Sequence, residues 1–421
     1  MTTTARFTVH LLLALALFAA PVSAAESFSY TSQANQSIKD SDDEKALEEL
    51  RSFFSLYPYD ETLRRKLADA YLSIADLDLN MSRYTRAAEY YGQAHELYPD
   101  HRDYGYLRGI ALFNDKKYDP ARAEFEQAGA ESGPLTYLGK ISYNTGDLPA
   151  ALDYWRKALE REPENKEIQV LIKKAELELP VESKMDKGYS SMFDLSFDAE
   201  LPPGLSAEVL DALESAYNSV GADLGVFPTT RIPVLLYTKG DYSSVTAGPD
   251  WSGGLYDGKI RLPVAGISNL NKQLRAIIFH EYTHVVIGEI THGNVPTWLN
   301  EGLAQVEERK EIGHPAVGLA DTTREGALIP LTTLSGPFLS MGAAEAGRAY
   351  QQSFSMANFM VNRYGWYSIQ SILKNLGEMG SIETAVSKAL ADYSLDLAAV
   401  MAEWRESLKK GEQQAASGPK E

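Results

Sequence analysis

The residues best suited to do chemistry lie between positions 277 and 305, where His280, Glu281 and His284 form H-E-x-x-H and Glu301 follows within an N-E-G-L-A run. On a helix, residues four apart share a face, so His280 and His284 present two imidazoles to one point, as a tetrahedral Zn²⁺ requires. Glu281 stands beside them, within reach of a water on such an ion. Its position falls in the middle of an apolar stripe formed by Leu274, Ile277, Ile278 and Val285. A lone carboxylate there is costly to desolvate unless a metal, a water or a partner compensates it. With 7 His and 58 acidic residues among 421, the pattern is expected by chance about 0.02 times or fewer.

A catalytic zinc needs a third protein ligand and an open fourth position for water. Glu301 is the best candidate. With sixteen residues between it and His284, it can return on a second helix that starts near Thr297, after the His292-Gly293-Asn294 and Pro296 breakers. His292 competes, but lies in the expected loop. A three-histidine continuation needs a glycine and a histidine where this chain has Ile287 and Ile290, which argues against it.

His280-Glu281-Tyr282-Thr283-His284 followed by Trp298-Leu299-Asn300-Glu301-Gly302-Leu303-Ala304 resembles the gluzincin metallopeptidases, and within them the peptidase MA-like domains often fused to helical repeats. The resemblance covers residues 186 to 400 and implies His280, His284 and Glu301 as zinc ligands, with Glu281 as general base. It also implies an oxyanion-binding tyrosine, for which Tyr350 in an A-Y-x-x-S run is the match and Tyr256 and Tyr282 are alternatives. Gln305 departs from the pattern, since some relatives carry an acidic residue there that supports a ligand.

These side chains need elements to hold them. Residues 192–198 alternate as a half-buried strand, 207–221 read as an amphipathic helix and 232–237 as a buried strand, a layout similar to the small sheet of zincins. The glycine-flanked run 251–262 suggests a hairpin whose last strand lies at the sheet edge; in gluzincins such an edge borders the cleft. Residues 312–340 are loop-rich. Helical pattern returns over 343–364, 367–377, 382–389 and 395–410.

Upstream, the offsets 0, +4, +7, +12 recur in phase: Ala46, Leu50, Phe53, Pro58; Ala87, Tyr91, Ala94, Pro99; Ala121, Phe125, Ala128, Gly133; Ala151, Trp155, Ala158, Pro163. A step of 34 residues is the tetratricopeptide period. Residues 41–165 resemble such an array, with extra residues near 76–82 lengthening one unit and a helix over 165–179 capping the end. Pro180 to Lys187 reads as the boundary. The expected fold is therefore an α-helical tetratricopeptide solenoid over 41–180, followed by an α+β zincin-like domain over 188–411. That domain divides into a sheet and zinc helices (188–315) and a helical subdomain (316–411).

The first 24 residues read as an export signal, with Arg6, an apolar run from Leu11 to Ala20, and a cleavage site at Val22-Ser23-Ala24. Residues 25–40 read as a disordered lead-in and 412–421 as a disordered tail. The chain has no cysteine, hence no disulfide framework and no lipid-attachment thiol. A periplasmic or secreted location follows. The formal charge of −18 repels nucleic acid and anionic membranes, and no segment is long and apolar enough to span a bilayer. The motif, the resemblance it carries and the export signal together imply an exported zinc metallopeptidase acting on peptide or protein substrates, with the array recruiting substrates or protein partners. The alternative is an interaction scaffold with a retained structural zinc.

Overall fold

In the computed structural model, residues 43–246, 255–264, 266–313, 328–338, 341–378 and 380–417 are described; the export signal and lead-in expected from the sequence lie outside them. The chain begins as antiparallel helix pairs: α1 (Asp43–Leu56), α2 (Glu61–Asn80), α3 (Tyr84–Leu97), α4 (Arg102–Asn114), α5 (Tyr118–Ala128), α6 (Ser132–Asn144), α7 (Leu148–Arg161) and α8 (Lys166–Glu182). The in-phase small and aromatic positions are what hold them together. Ala87, Tyr91 and Ala94, Ala121 and Phe125, and Ala151, Trp155 and Ala158 are all buried between neighbouring helices. The extra residues of the long unit extend a helix rather than a loop: α2 has 20 residues against 13 in α4 and in α6.

The second half is built on a five-stranded sheet, with β1 (Asp186–Tyr189), β2 (Phe193–Phe197), β3 (Ile232–Tyr237), β4 (Leu255–Tyr256) and β5 (Ile260–Pro263) in the order β1-β2-β3-β5-β4. β2, β3 and β5 are parallel, and β1 and β4 are antiparallel edges. α9 (Leu205–Leu224) connects β2 to β3, and α10 (Lys239–Thr246) follows β3. Then come α11 (Lys272–Thr291), α12 (Thr297–Ile312), the single turn α13 (Leu331–Leu334), α14 (Ala343–Gly377), α15 (Ile382–Ala389) and α16 (Leu397–Ser417). α14 breaks at Gly365 (φ 79°, ψ 165°), which separates the two helical patterns read from the sequence.

Alternation along the strands sends side chains to two very different faces. Phe193, Leu195, Val234, Leu236, Ile260 and Leu262 point down into one apolar core with α9, α11, α12 and α14. Leu235 and Tyr237 point up and pack with Tyr242 and Val245 of α10 and with Val181 on α8. Arg261 of β5 and Lys259, just before it, also face the upper side and meet α8, the last helix of the array. The array therefore supplies the upper layer of the sheet.

Three sequence expectations change. Pro180 does not end the helical pattern: it sits within the last turn of α8, which runs to Glu182, and β1 starts at Asp186, so 180–187 is no linker between self-contained parts. In the hairpin the first strand, β4, lies at the edge, while the last, β5, is covered on both sides. The C-terminal helix continues to Ser417, through much of the stretch whose polar composition suggests a disordered tail.

Candidate metal centre

α11 starts under an Asn271 cap, whose side chain accepts from the Leu274 amide at 2.8 Å, and it buries Leu274, Ile278 and Val285 against the sheet. It stops at His292, which adopts a left-handed conformation (φ 51°, ψ 33°). Gly293 turns the chain, and Asn294 Nδ2 donates to the carbonyls of Leu376 and Gly380 at 2.6 and 3.1 Å. Pro296 then opens α12, which packs back along α11.

Two glycines set how closely α14 crosses this pair. A Cβ at Gly302, the residue after Glu301, would lie 2.4 Å from the Ser353 carbonyl oxygen; one at Gly377 would lie 2.2 Å from that of Ile290. Neither position admits a side chain without moving backbone. The close crossing brings Ala349 and Tyr350 of α14 beside the ligand turn of α12.

The result gathers His280, His284 and Glu301, with one ligand atom from each lying within 4.8 Å of the others. His280 Nε2 is 3.5 Å and His284 Nε2 3.7 Å from the same oxygen, Glu301 Oε2. The rings stand edge to face with centroids 4.9 Å apart. Each imidazole is held from behind: His280 Nδ1 lies 2.9 Å from Glu308 Oε2, and His284 Nδ1 lies 3.0 Å from Asn300 Oδ1. A carboxylate and an amide oxygen only accept, so each Nδ1 carries a proton and each Nε2 faces Glu301, where the neutral ring offers its lone pair to a cation. Glu308 and Asn300 have no assigned role in the sequence reading. Their signal is positional: Asn300 adjoins the ligand, and Glu308, seven residues on, returns to the same face of α12.

The electrostatics follow from these partners. Burial opposes charge on both imidazoles. At His280 the two carboxylates of Glu301 and Glu308 outweigh burial and push the pKa well above its usual value. At His284 burial, joined by the charge of His280, outweighs the upward pull of Glu301 and of the Asn300 hydrogen bond, and the pKa falls. Burial also works against the Glu301 carboxylate, but the neighbouring imidazoles reverse it and hold the group below the usual range. Glu281, 5% exposed, is raised to about 7, chiefly by burial.

Tyr350 is half-buried, its ring edge-on to Phe338 with centroids 5.2 Å apart. Burial raises its phenol well above the ordinary value, and the charges of Glu301 and Glu281 add to that shift, which places the hydroxyl in their field. Gln305 does not contact an imidazole; its Nε2 donates to the Tyr350 carbonyl at 3.0 Å and ties α14 to α12. The acidic support absent at that position comes from Glu308. Tyr282 belongs to the core, fully buried beside Phe193 and Tyr217. Tyr256, on edge strand β4, lies one helical turn beyond His284, its ring 3.9 Å from where a Cβ at Gly288 would stand. His292 stays away from the ligand group and packs on Tyr84 of α3 at 4.9 Å. There a recess of about 430 Å³ is lined by residues 82–86, Asp115 and His292.

Comparison with known proteins agrees with this architecture. Residues 213–410 match the family model of the Peptidase MA superfamily, and residues 72–134 match a tetratricopeptide repeat model. No curated protein matches the chain. Among solved structures, MamA (41-end) from Desulfovibrio magneticus RS-1 is 19% identical, with 37% of this chain and 86% of that one covered and a TM-score of 0.29. TTC0263, a thermophilic tetratricopeptide protein in Thermus thermophilus, is 21% identical, with coverage of 34% and 78% and a TM-score of 0.24. The chain thus joins tetratricopeptide repeats to a domain of the Peptidase MA superfamily.

Proposed function

We propose that the protein is an exported zinc-dependent peptidase that hydrolyses peptide bonds at the His280, His284 and Glu301 centre. The carrying observation is the donor set itself: two Nε2 lone pairs and a carboxylate oxygen converge, while Glu308 and Asn300 occupy both Nδ1 atoms. Such a set fits the three protein ligands of a tetrahedral zinc with one open position. When bound, the ion would activate a water and polarise the scissile carbonyl.

The chain's own residues then divide the work. Glu281 takes a proton from the attacking water and gives it to the amine nitrogen as the C–N bond breaks, leaving a carboxylic acid and an amine. The Tyr350 hydroxyl donates to the carbonyl oxygen as negative charge builds there. Gln305 holds Tyr350 by its backbone, and Glu308 and Asn300 keep the imidazoles from rotating.

The export signal in the sequence supports a periplasmic or secreted location, and among the described residues no helix is long and apolar enough to cross a membrane. The test is metal content with turnover. Purified protein should hold close to one zinc, and Glu281→Gln should keep it while losing at least ~10²-fold in kcat on peptides cut by the wild type. Protein that takes up no zinc under replete conditions would sink this reading. Zinc without turnover would favour the scaffold.

A further inference from the structure

The face of α11 that carries the two histidines continues beyond them. Steps of four residues lead from His280 and His284 to Gly288 and then to His292. Gly288 lies beneath the Tyr256 ring of β4, and at His292 the stripe ends against the array, where Tyr84 packs on the imidazole. One residue row over, Lys116 of the α4–α5 turn pairs with Glu289.

β4 runs into the same obstruction. Tyr256 pairs with Ile260 at the start of β5, so β4 leads toward the C-terminal end of α11. Its next residue, Asp257, is held by Lys174 of α8 at 2.7 Å. The array cannot swing clear of this position, because Arg261 and Lys259 are buried against Glu178 and Glu182 of α8 at 2.9 to 3.5 Å.

From this geometry, and resting on the hydrolytic reading above, we propose that the array is the end wall of the substrate channel. It restricts cleavage to bonds near the N-terminus of a peptide. An extended chain adding to the outer edge of β4, which ends the sheet among the described residues, pairs most favourably antiparallel, which directs its N-terminal end toward Asp257 and the array. The eight residues from His284 to His292 span about 12 Å of helix, room for about three or four extended residues. Longer N-terminal extensions meet Tyr84 and Lys116, whereas the opposite end of the peptide leaves away from the array.

The experiment is digestion of a tryptic peptide library by full-length, zinc-loaded protein, with each cut located by mass spectrometry. Cuts within roughly the first four bonds from the N-terminus should exceed interior cuts about tenfold. Tyr84→Ala, with zinc content checked, should move the cuts inward. Cuts spread evenly along peptides, or gathered at the C-terminus, would overturn the wall while leaving the peptidase reading intact. A library left wholly uncut would overturn both.

Discussion

Two clusters of ionisable side chains meet the same β5–α11 segment and are built on opposite plans. In the seam between array and sheet, Arg261 reaches Glu178 and Glu182 at 2.9 Å, Asp257 at 3.2 Å and the Tyr143 hydroxyl at 3.0 Å, and Lys259 reaches Glu182 at 3.1 Å. Tyr143 and Tyr237 donate at 2.7 Å to the same Oε1 atoms of Glu178 and Glu182 that Arg261 reaches, and Lys259 faces the two Oε2 atoms. With Lys174 on Asp257 at 2.7 Å, three cations match three carboxylates, and Arg261 and Lys259 are each only 1% exposed. At the metal centre, three carboxylates surround two imidazoles, and two ring nitrogens converge on one oxygen of Glu301. A balanced cluster is finished by the protein; an acid-rich one with convergent lone pairs is finished by a cation. Burial alone does not distinguish the two, and the charge count does.

Breaking the balanced cluster should cost most. Arg261→Met leaves two buried glutamates facing Lys259 alone and should lower unfolding stability by about 3–5 kcal/mol in urea titrations; a loss under ~1 kcal/mol would mean the seam is hydrated. At the metal centre the largest single step after the base is Tyr350→Phe, which keeps the ring against Phe338 and deletes the hydroxyl. A roughly 10²- to 10³-fold drop in kcat at equal zinc content is expected, and unchanged kcat would assign Tyr350 to packing.

Glu308→Gln keeps an acceptor for His280 but removes its charge. Zinc affinity, read by chelator competition, should weaken about 10- to 100-fold with little change in the unfolding midpoint of the metal-free protein. A change in the opposite order would make Glu308 structural.

The smallest effect is with pH. Burial raises the Glu182 and Asp257 carboxyls, but Lys259 and Arg261 at the first, and Arg261 and Lys174 at the second, outweigh it and hold both below their ordinary values. Their contribution is full above the unfolded values of ~4 and is lost as pH falls through the lower folded values, on the order of 1 kcal/mol below about pH 4. Thermal melts should show that acid limb in the wild type and a flatter one in Arg261→Met.

The metal centre was legible in the sequence because its core is local: four-residue spacing on one helix, and a glutamate after one turn. Its supports were not. Glu307, Glu308 and Glu311 crowd one stretch of α12, and only the rotation of that helix against α11 selects Glu308 to meet His280. The rest of the group contrasts with it: Glu307 is buried, its pKa raised to about 7 chiefly by burial, and Glu311 pairs with Arg275 at 2.5 Å. The seam was harder. Glu178 and Glu182 sit four apart on a helix and read as a solvated face, and Lys259 and Arg261 alternate like the exposed side of a hairpin. Each half is ordinary alone, and the pairing joins residues 77 to 83 apart, a reach that no periodicity reports. Pro180 set the end of the array's last helix at Leu179 instead of Glu182, since a proline in the last turn of a helix and one just past it look alike in sequence.

That long reach also orders events in time. The array closes through contacts between neighbouring helices, which form quickly, whereas the Arg261 contacts to Tyr143, Glu178 and Glu182 join residues 79 to 118 apart and belong to the slow, non-local class. As the chain is synthesised, α8 stands complete with both carboxylates in water until β5 emerges. The sheet therefore forms on a finished template, and its upper layer acquires its final order only when the last strand arrives.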